Sequence, residues 1–365
     1  MKRLLILCFV LCILCVPVCG VELPDGYLSE MGVDDLQNAA PGETDGVLDD
    51  YSFLDFTDVD DLFSSLGDKI LSAAQEHFRG AAKSAVVVLA VTFLCSLASA
   101  FFPGGKAPEY VTIAGVFAIV TAVVTDTGAL IQDGTETLYK ISDFSTILLP
   151  CLSGIAATSG AVVSASAKCG ATMLFMNVLL TVCVRFIAPL INVYLACVIA
   201  NAAFENRAFS AMASLVKWIC MTSLTLFVVA FTAYLSVSGV ITASGDLVTT
   251  RFAKAAISTA LPVVGKIVSD AASTVVAGVS VLRNSVGIFG MIAVLCITIA
   301  PFVSMGVRYL LFKAASSAAS VFPDQRFSGL IDGIGTAFGM MMAMTGTGAV
   351  MLFISLISLI RTVSG

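Results

Sequence analysis

Lys266 and Asp270 are the two residues whose types and spacing most directly suggest chemistry inside an apolar segment of this sequence. Residues four apart on a helix share one face, so the ammonium and carboxylate groups can pair. Charges within membrane segments are costly and tend to face a cavity or a partner. The pair is therefore predicted to line a pore or contact a substrate, to clamp a broken helix as a structural ion pair, or to lie near the membrane interface.

Arg185 is a further candidate intramembrane charge, halfway along a long apolar segment and four residues before a proline. It is expected to face a cavity, or to reach the membrane surface if the helix bends at that proline. Proline removes a backbone hydrogen bond and glycine disfavours the helix, so both predict interrupted helices. The predicted interruptions are Pro150, Pro189, Pro262, Gly265 and Pro301.

Residues for catalysis, or for holding a metal or cofactor, do not occur in a recognisable arrangement. The single histidine, His77, is not enough for a His-based metal site and lies in a juxtamembrane position. The sequence Gly104-Gly105-Lys106 lacks the spacing and the following Ser or Thr of a phosphate-binding loop. We therefore predict no enzymatic activity, no catalytic residue, no metal and no cofactor.

The elements that carry these residues must be membrane helices, because the composition does not fit a soluble fold. Hydrophobic residues make up 58% of the 365 residues, charged residues only 12%, and the mean hydropathy is +1.00. Soluble domains carry roughly 25% charged residues. Long apolar runs, the signature of spans, occur at about 83–102, 110–131, 144–166, 169–200, 211–240, 256–281, 284–312 and 330–360. The predicted fold is all-α, a polytopic transmembrane helical bundle of about seven to eight helical segments within residues 81–365.

The N-terminus has the pattern of a secretory signal peptide over residues 1–20, with two basic residues, an apolar stretch and a small residue at the expected cleavage site. An uncleaved signal anchor is the alternative. Residues 21–80 follow as an acidic, partly disordered extracytoplasmic arm, with fifteen Asp and Glu against two basic residues. The arm is either a partner-binding segment or a solvated linker, and its later part favours a short helix over about 58–78.

The positive-inside rule predicts how the segments alternate across the membrane. With the arm outside, the first segment reaches the cytoplasm at Lys106, an outside loop follows at 133–143, and the fourth segment exits near Glu205. Beyond Arg251 two alternatives stay open, because residues 256–281 fit either a full, broken span or a re-entrant hairpin.

Two parts of the membrane domain are similar at a constant offset of 112 residues. The Leu-Pro at 149–150 returns at 261–262, and the Ile-Ala-Pro at 187–189 returns at 299–301. Repeat units of about 144–240 and 256–360, with three spans each, would have opposite topology, which is the inverted-repeat plan of many transporters. Chance similarity between apolar segments is the alternative.

The segment LPVVGKIVSDAASTVVAG at 261–278, running on to RNSVG at 283–287, resembles the stage III sporulation protein AE family of endospore-forming bacteria. The TTRFAK at 249–254, the signal peptide, the polar arm and the order of spans are also similar to that family. The resemblance implies a role in spore formation, on the mother-cell side of a multi-protein channel between mother cell and forespore. The implied partners are the other stage III sporulation A-operon proteins, including a secretion-type ATPase, and indirectly stage II sporulation protein Q.

The first hypothesis is therefore a membrane core subunit of that channel or secretion complex, in the mother-cell membrane around the forespore. A stand-alone secondary transporter of the inverted-repeat type and a structural membrane scaffold are the alternatives. Membrane lipid is an expected contact, whereas nucleic acid is not, because no dense basic stripe is present.

Overall fold

The computed structural model describes residues 59–101, 107–158, 162–260 and 265–361, which form helices and short connections between them. The helices are α1 (Val59–Phe101), α2 (Ala107–Thr158), α3 (Val162–Val182), α4 (Ala188–Phe204), α5 (Arg207–Ala260), α6 (Gly265–Ala319) and α7 (Gln325–Ile360). A five-residue π-helical turn, Cys183–Ile187, joins α3 to α4. The predicted signal peptide lies outside the described residues, and so do the side chains of 59–66 and 239–281.

Six helical stretches in the described part of the chain are long and apolar enough to cross a membrane. They are Gly67–Phe101, Ala107–Thr158, Val162–Phe204, Arg207–Ser238, Leu282–Ala319 and Gln325–Ile360. Each has between 32 and 52 residues, whereas a hydrocarbon core of about 30 Å needs only about 20. The predicted all-α, multi-pass membrane bundle is thus confirmed.

Helices α6 and α7 form the centre of the bundle. In their most apolar stretches 56% and 61% of the residues are buried, against 17–33% in the other four spans. The two helices contact each other closely, for example through the rings of Phe312 and Phe338, whose centroids are 5.2 Å apart. Membrane helices associate through close packing, which small residues permit. The six glycines of α7 between positions 329 and 348 therefore suit its central place.

The two ends of the bundle are marked by contacts between distant residues. At one end, here called the Asp324 end, Thr112 Oγ1 donates to Asp324 Oδ2 at 2.7 Å, and Arg326 contacts Glu205. At the other, the Ile360 end, Lys168 Nζ donates to the Ser358 carbonyl at 3.0 Å. Helices α1, α4 and α6 end at the Asp324 end, where α2, α5 and α7 begin, whereas α2 ends and α3 begins at the Ile360 end.

The outside loop predicted at 133–143 is wrong, because these residues lie within the uninterrupted 52-residue helix α2. As a consequence, α2 runs once from the Asp324 end to the Ile360 end. The positive-inside path placed Lys106 and Glu205 on opposite sides, whereas Ala107, the first described residue after Lys106, and Glu205 both lie at the Asp324 end. The polar residues that suggested a loop are accommodated on the helix surface, where they meet α1 and α6.

The later part of the predicted arm is helical, as expected from its apolar residues. Helix α1 begins at Val59 and continues without a break to Phe101, so the short helix predicted over 58–78 is the start of the first span. Residues 21–58 of the arm lie outside the described part of the chain.

Candidate functional site

A polar cleft of about 240 Å³ opens between α1, α2 and α6, halfway along the bundle. Gly134 of α2, which follows the lining residue Asp133, shows the level of the cleft along the helices. It packs against Met305 and Met344, and these residues lie near the midpoints of their spans. The lining residues are His77 from α1, Asp133, Glu136, Thr137 and Lys140 from α2, and Ile297, Ala300, Pro301 and Ser304 from α6. The cleft thus collects charged and hydroxyl groups at the level where spans are normally most apolar.

The charges of the cleft are ordered along one face of α2. Lys140 Nζ lies 3.1 Å from Glu136 Oε1, four residues earlier on the helix, and the two side chains are 40% and 57% exposed. Asp133 is one turn further back and is also exposed. Helical spacing of three and four places such residues on one stripe, so α2 presents two carboxylates and one ammonium group to α1 and α6.

Pro301 makes the α6 wall of the cleft more polar than its side chains suggest. Proline has no backbone N–H, so the carbonyl of the residue four earlier loses its helical donor. That residue is Ile297, which itself lines the cleft. One turn after Pro301, the Ser304 hydroxyl accepts from Arg308 Nη1 at 2.5 Å. The wall therefore offers a hydroxyl group and a freed carbonyl oxygen.

This arrangement suits a polar or cationic solute, or a chain of water molecules, better than a metal ion. Carboxylates, hydroxyl groups and a free carbonyl all accept hydrogen bonds, and intramembrane polar groups mark solute and proton paths. Within the described residues, no three His, Cys, Asp or Glu side chains converge as metal ligands would. No enzymatic constellation is formed by the cleft residues that are described.

A second polar contact, partly exposed, joins α6 to α7. Lys313 Nζ lies 2.6 Å from Asp332 Oδ1 and 2.9 Å from Thr336 Oγ1, so the ammonium group has two partners on the neighbouring helix. The two charged side chains are 31% and 51% exposed. The pair links the two central helices between the cleft and the Asp324 end.

Arg283 is the most deeply buried charged residue among those described. Its side chain is 1% exposed, and neither Nε nor Nη1 has a hydrogen-bond partner. It lies one turn before Gly287, which packs against Ile360, so it belongs to the Ile360 end. Lys168, also at this end, is 6% exposed but donates to the end of α7.

The structure places the predicted charged residues separately. Lys266 and Asp270 lie in the first turns of α6, and their side chains fall outside the described part. Arg185 lies in the π-helical turn and is exposed on the outside of the bundle, away from the cleft. The described residues thus do not bring Arg185 to the polar groups that line a cavity.

The predicted helix interruptions differ in their effect. Pro150 and Pro301 lie inside continuous helices, so the expected breaks at these two positions are not seen. Pro189 is the second residue of α4, just after the π-helical turn, and the extra residue of that turn accommodates a ring that would otherwise meet the carbonyl one turn earlier. Gly265 is the first residue of α6, whereas Pro262 lies outside the described residues.

Sequence reasoning missed the cleft and the burial of Arg283. The signal for the cleft was present in the spacing of Asp133, Glu136 and Lys140, which fits one helical face as well as a loop. No signal in the sequence distinguishes Arg283 from a charge at the membrane surface, because its burial depends on helices distant along the chain.

Comparison with known proteins agrees with the resemblance seen in the sequence. The family model for stage III sporulation protein AE matches residues 54–363. The protein named Stage III sporulation protein AE from Bacillus subtilis (strain 168) is 28% identical over 187 residues, which cover 51% of this chain and 47% of that protein. The aligned part therefore spans about half the length of this relative, and no solved structure matches the chain. Because the family model covers nearly all of the described bundle, including the cleft and Arg283, the chain belongs to the stage III sporulation protein AE family.

Proposed function

We propose that this chain is a membrane core subunit of the channel or secretion complex between mother cell and forespore, and that it acts without catalysing a reaction. Family membership already makes it a sporulation protein with a multi-pass membrane fold. The observation that supports a conducting role is the polar cleft at mid-length of the bundle, where three helices present carboxylate, ammonium and hydroxyl groups. A purely structural scaffold would not need such groups there.

The proposed partners are the other stage III sporulation A-operon proteins, including a secretion-type ATPase, and indirectly stage II sporulation protein Q. The chain has no recognisable phosphate-binding loop, so energy for transport has to come from a partner or a gradient. The proposed location is the mother-cell membrane around the forespore. A fluorescent fusion should concentrate at that membrane during engulfment, and an even distribution over all membranes would contradict this location.

The cleft is tested by Glu136→Gln, which keeps the size of the side chain and removes its charge. In an endospore-forming host lacking its own copy, this variant should accumulate normally but lower the frequency of heat-resistant spores by about tenfold or more, as for loss of a charge that acts in function. The matched control is Glu109→Gln, in the exposed first turn of the same helix. If both variants sporulate as the parent does, the cleft has no part in function.

Co-purification and transport assays distinguish the proposed complex subunit from a stand-alone transporter and from a scaffold. The affinity-tagged chain should retain the ATPase and its neighbours in mild detergent, whereas a stand-alone secondary transporter should drive solute uptake alone in liposomes. Uptake by the isolated chain along an ion gradient would favour the transporter. Normal complex assembly with unchanged sporulation in all cleft variants would favour the scaffold.

We also propose that Lys266 and Asp270 form a functional ion pair at the start of α6. They are spaced four residues apart on this helix, and a lone charge left behind should be more harmful than the loss of both. Lys266→Ala or Asp270→Ala should reduce sporulation or protein level, and a charge swap should restore part of it. Wild-type sporulation and accumulation in both single variants would show that the pair has no role.

A further inference from the structure

Arg185 is an exposed charge on the outer surface of the bundle. It lies in the π-helical turn Cys183–Ile187, and exposed apolar side chains occur on both sides of it along the same span, with Leu174 and Val178 before it and Val193 after it. Arg185 forms no hydrogen bond or ion pair with the described residues. Charged groups inside membrane segments face water or pair with another group. An anion that approaches from outside the bundle is therefore expected at Arg185.

Contacts with α7 show the depth of Arg185 in the bundle. The hydroxyl groups of Thr172 in α3 and Ser355 in α7 are 2.6 Å apart. In α4, Val198 Cγ1 would lie 2.3 Å from a β-carbon at Gly333 of α7. Arg185 is thirteen residues from Thr172 and thirteen from Val198. It therefore lies at the level halfway between Ser355 and Gly333.

This level is also the level of the polar cleft. Met344 is the residue of α7 halfway between those two contacts, and it packs against Gly134 of α2. Gly134 directly follows Asp133, which lines the cleft. Arg185 and Asp133 thus lie at the same depth to within about one helical turn, or about 5 Å.

The cleft carries an excess of negative charge at this depth. Glu136 is paired with Lys140, with 3.1 Å between Oε1 and Nζ. The carboxylate of Asp133 is exposed and has no partner among the described residues. Glu76, which precedes the lining residue His77 on α1, is a further exposed acid at this level. The cleft can therefore accept one more cation.

The other acids of the described helices lie at different depths. Asp126 and Asp143 are eight and nine residues from Gly134 along α2, and Asp68 is nine residues before His77 along α1. At 1.5 Å per residue, these separations are about 12 Å or more. The remaining acids of these helices are nearer the ends of the bundle. Only the acids around the cleft match the depth of Arg185 within the part of the chain that the structure describes.

The exposed cation and the exposed anion lie on different faces of the bundle. The π-helical turn joins α3 and α4, which pack on α5 and α7, whereas the cleft lies between α1, α2 and α6. Arg79 of α1, a cation near this depth, lines a separate cavity with Phe78 and Val307. Arg185 and Asp133 therefore cannot pair within one copy of the bundle, and each is open to a neighbour.

A second copy of the chain presents the opposite charge at the matching height. Copies inserted in the same direction keep equal depths, because the membrane fixes the level of each span. Contact between two different faces is head-to-tail, so it closes into a ring or continues as a row. Thr181 and Asn177, four and eight residues before Arg185, are also exposed and share its side of α3. Such polar groups form hydrogen bonds between membrane helices.

We propose that the chain self-associates in the membrane, with the guanidinium group of Arg185 in one copy paired with the carboxylate of Asp133 in the cleft of the next. The neighbouring copy thereby completes the cleft, and both charges are removed from contact with lipid. The proposal concerns the cleft on which the proposed function rests, but it depends only on the depth and charge of these two residues. Assembly of the purified chain tests it, whereas sporulation in cells tests the function, so the two failures are distinguishable.

Charge reversal in the purified full-length chain tests the pairing. We expect the parent chain to form oligomers in lipid nanodiscs or mild detergent, measured by light scattering. Arg185→Glu and Asp133→Lys should each weaken self-association at least tenfold, because like charges would then meet in the contact. The double variant should associate within about threefold of the parent. The matched controls are Arg207→Glu and Glu109→Lys, which reverse exposed charges near the Asp324 end and should leave association unchanged.

A mixing experiment shows whether the pair forms between copies. The Arg185→Glu and Asp133→Lys variants, co-expressed with different tags, should co-purify although each alone stays monomeric, since the altered face of one complements the altered face of the other. Both residues are exposed, so the variants should melt within a few degrees of the parent. If either fails to fold, Arg185→Gln and Asp133→Asn replace them, and their combined effect on association should be smaller than the sum of the separate effects.

Several results would overturn the proposal. These are a parent chain that stays monomeric, reversal variants that associate as the parent does, and rescue of Arg185→Glu by Glu76→Lys instead of Asp133→Lys. If an anionic lipid or another protein neutralises Arg185, the Arg185→Gln variant should lose that lipid or protein from the purified sample while self-association is unchanged. Either outcome would also refute the contact between copies.

Discussion

The contact between α4 and α7 at Gly333 offers a direct test of the helix packing. A β-carbon at this position would lie 2.3 Å from Val198 Cγ1 and 2.9 Å from Cγ2, closer than any tolerated contact. Valine is branched at its own β-carbon and in a helix has one strongly preferred rotamer, so it cannot turn away easily. Gly333→Ala should therefore force α4 and α7 apart.

The same helix provides the control. Gly329 is one turn earlier, is exposed, and would place its new β-carbon within 4 Å of no other atom. Both substitutions gain about 1 kcal/mol of helix propensity, so this gain cancels in their comparison. Overpacking costs about 1–3 kcal/mol. The Gly333→Ala variant should thus be less stable than Gly329→Ala by about 1–3 kcal/mol.

Thermal unfolding in detergent, followed with a thiol-reactive dye, measures this difference. The buried cysteines become reactive when the bundle opens; they are Cys151, Cys169, Cys183, Cys197, Cys220 and Cys296. At roughly 2–4 °C per kcal/mol, the Gly333→Ala variant should melt roughly 2–12 °C below Gly329→Ala. Adding Val198→Ala to Gly333→Ala should raise the melting temperature, although Val198→Ala alone removes buried methyl groups and should lower it.

Two outcomes would refute this reasoning. If Gly333→Ala and Gly329→Ala melt together, α4 and α7 do not approach each other at this position. If Val198→Ala lowers the melting temperature equally in both backgrounds, the destabilisation arises elsewhere, and the central place of α7 would need another explanation.

Two further predictions follow from the fold. Single cysteines at Ala107 and Asn206, in an otherwise unreactive background, should be labelled by an impermeant maleimide from the same side of the membrane, because both residues lie at the Asp324 end. Labelling from opposite sides would restore the loop at 133–143. Lys313→Met should lower the melting temperature by only roughly 1–4 °C, because the pair with Asp332 is partly exposed, and adding Asp332→Asn should lower it little further. A large additional loss in that double variant would show that the two residues act independently.

The sequence by itself determined the class of the protein and its family. Hydropathy is a property of local composition. With 58% hydrophobic and only 12% charged residues, the chain fits a membrane bundle and does not fit a soluble fold. The pattern at 261–287 was specific enough to indicate the stage III sporulation protein AE family, which the family model over 54–363 confirms. The signal peptide, the inverted repeat and the pairing of Lys266 with Asp270 stay predictions, since each concerns residues or relations outside what the described structure tests.

Only the tertiary structure decided that residues 133–143 continue a helix, and where the described polar residues lie in the bundle. A window of hydropathy averages over all faces of a helix, so Asp133 and Glu136 resemble a loop even though α2 continues through them. Their accommodation depends on His77 and Ser304, which are distant in the sequence and adjacent in the cleft. The burial of Arg283 likewise results from α6 lying at the centre of the bundle, because the exposure of a side chain is set by the neighbouring helices and not by the residues beside it in the chain.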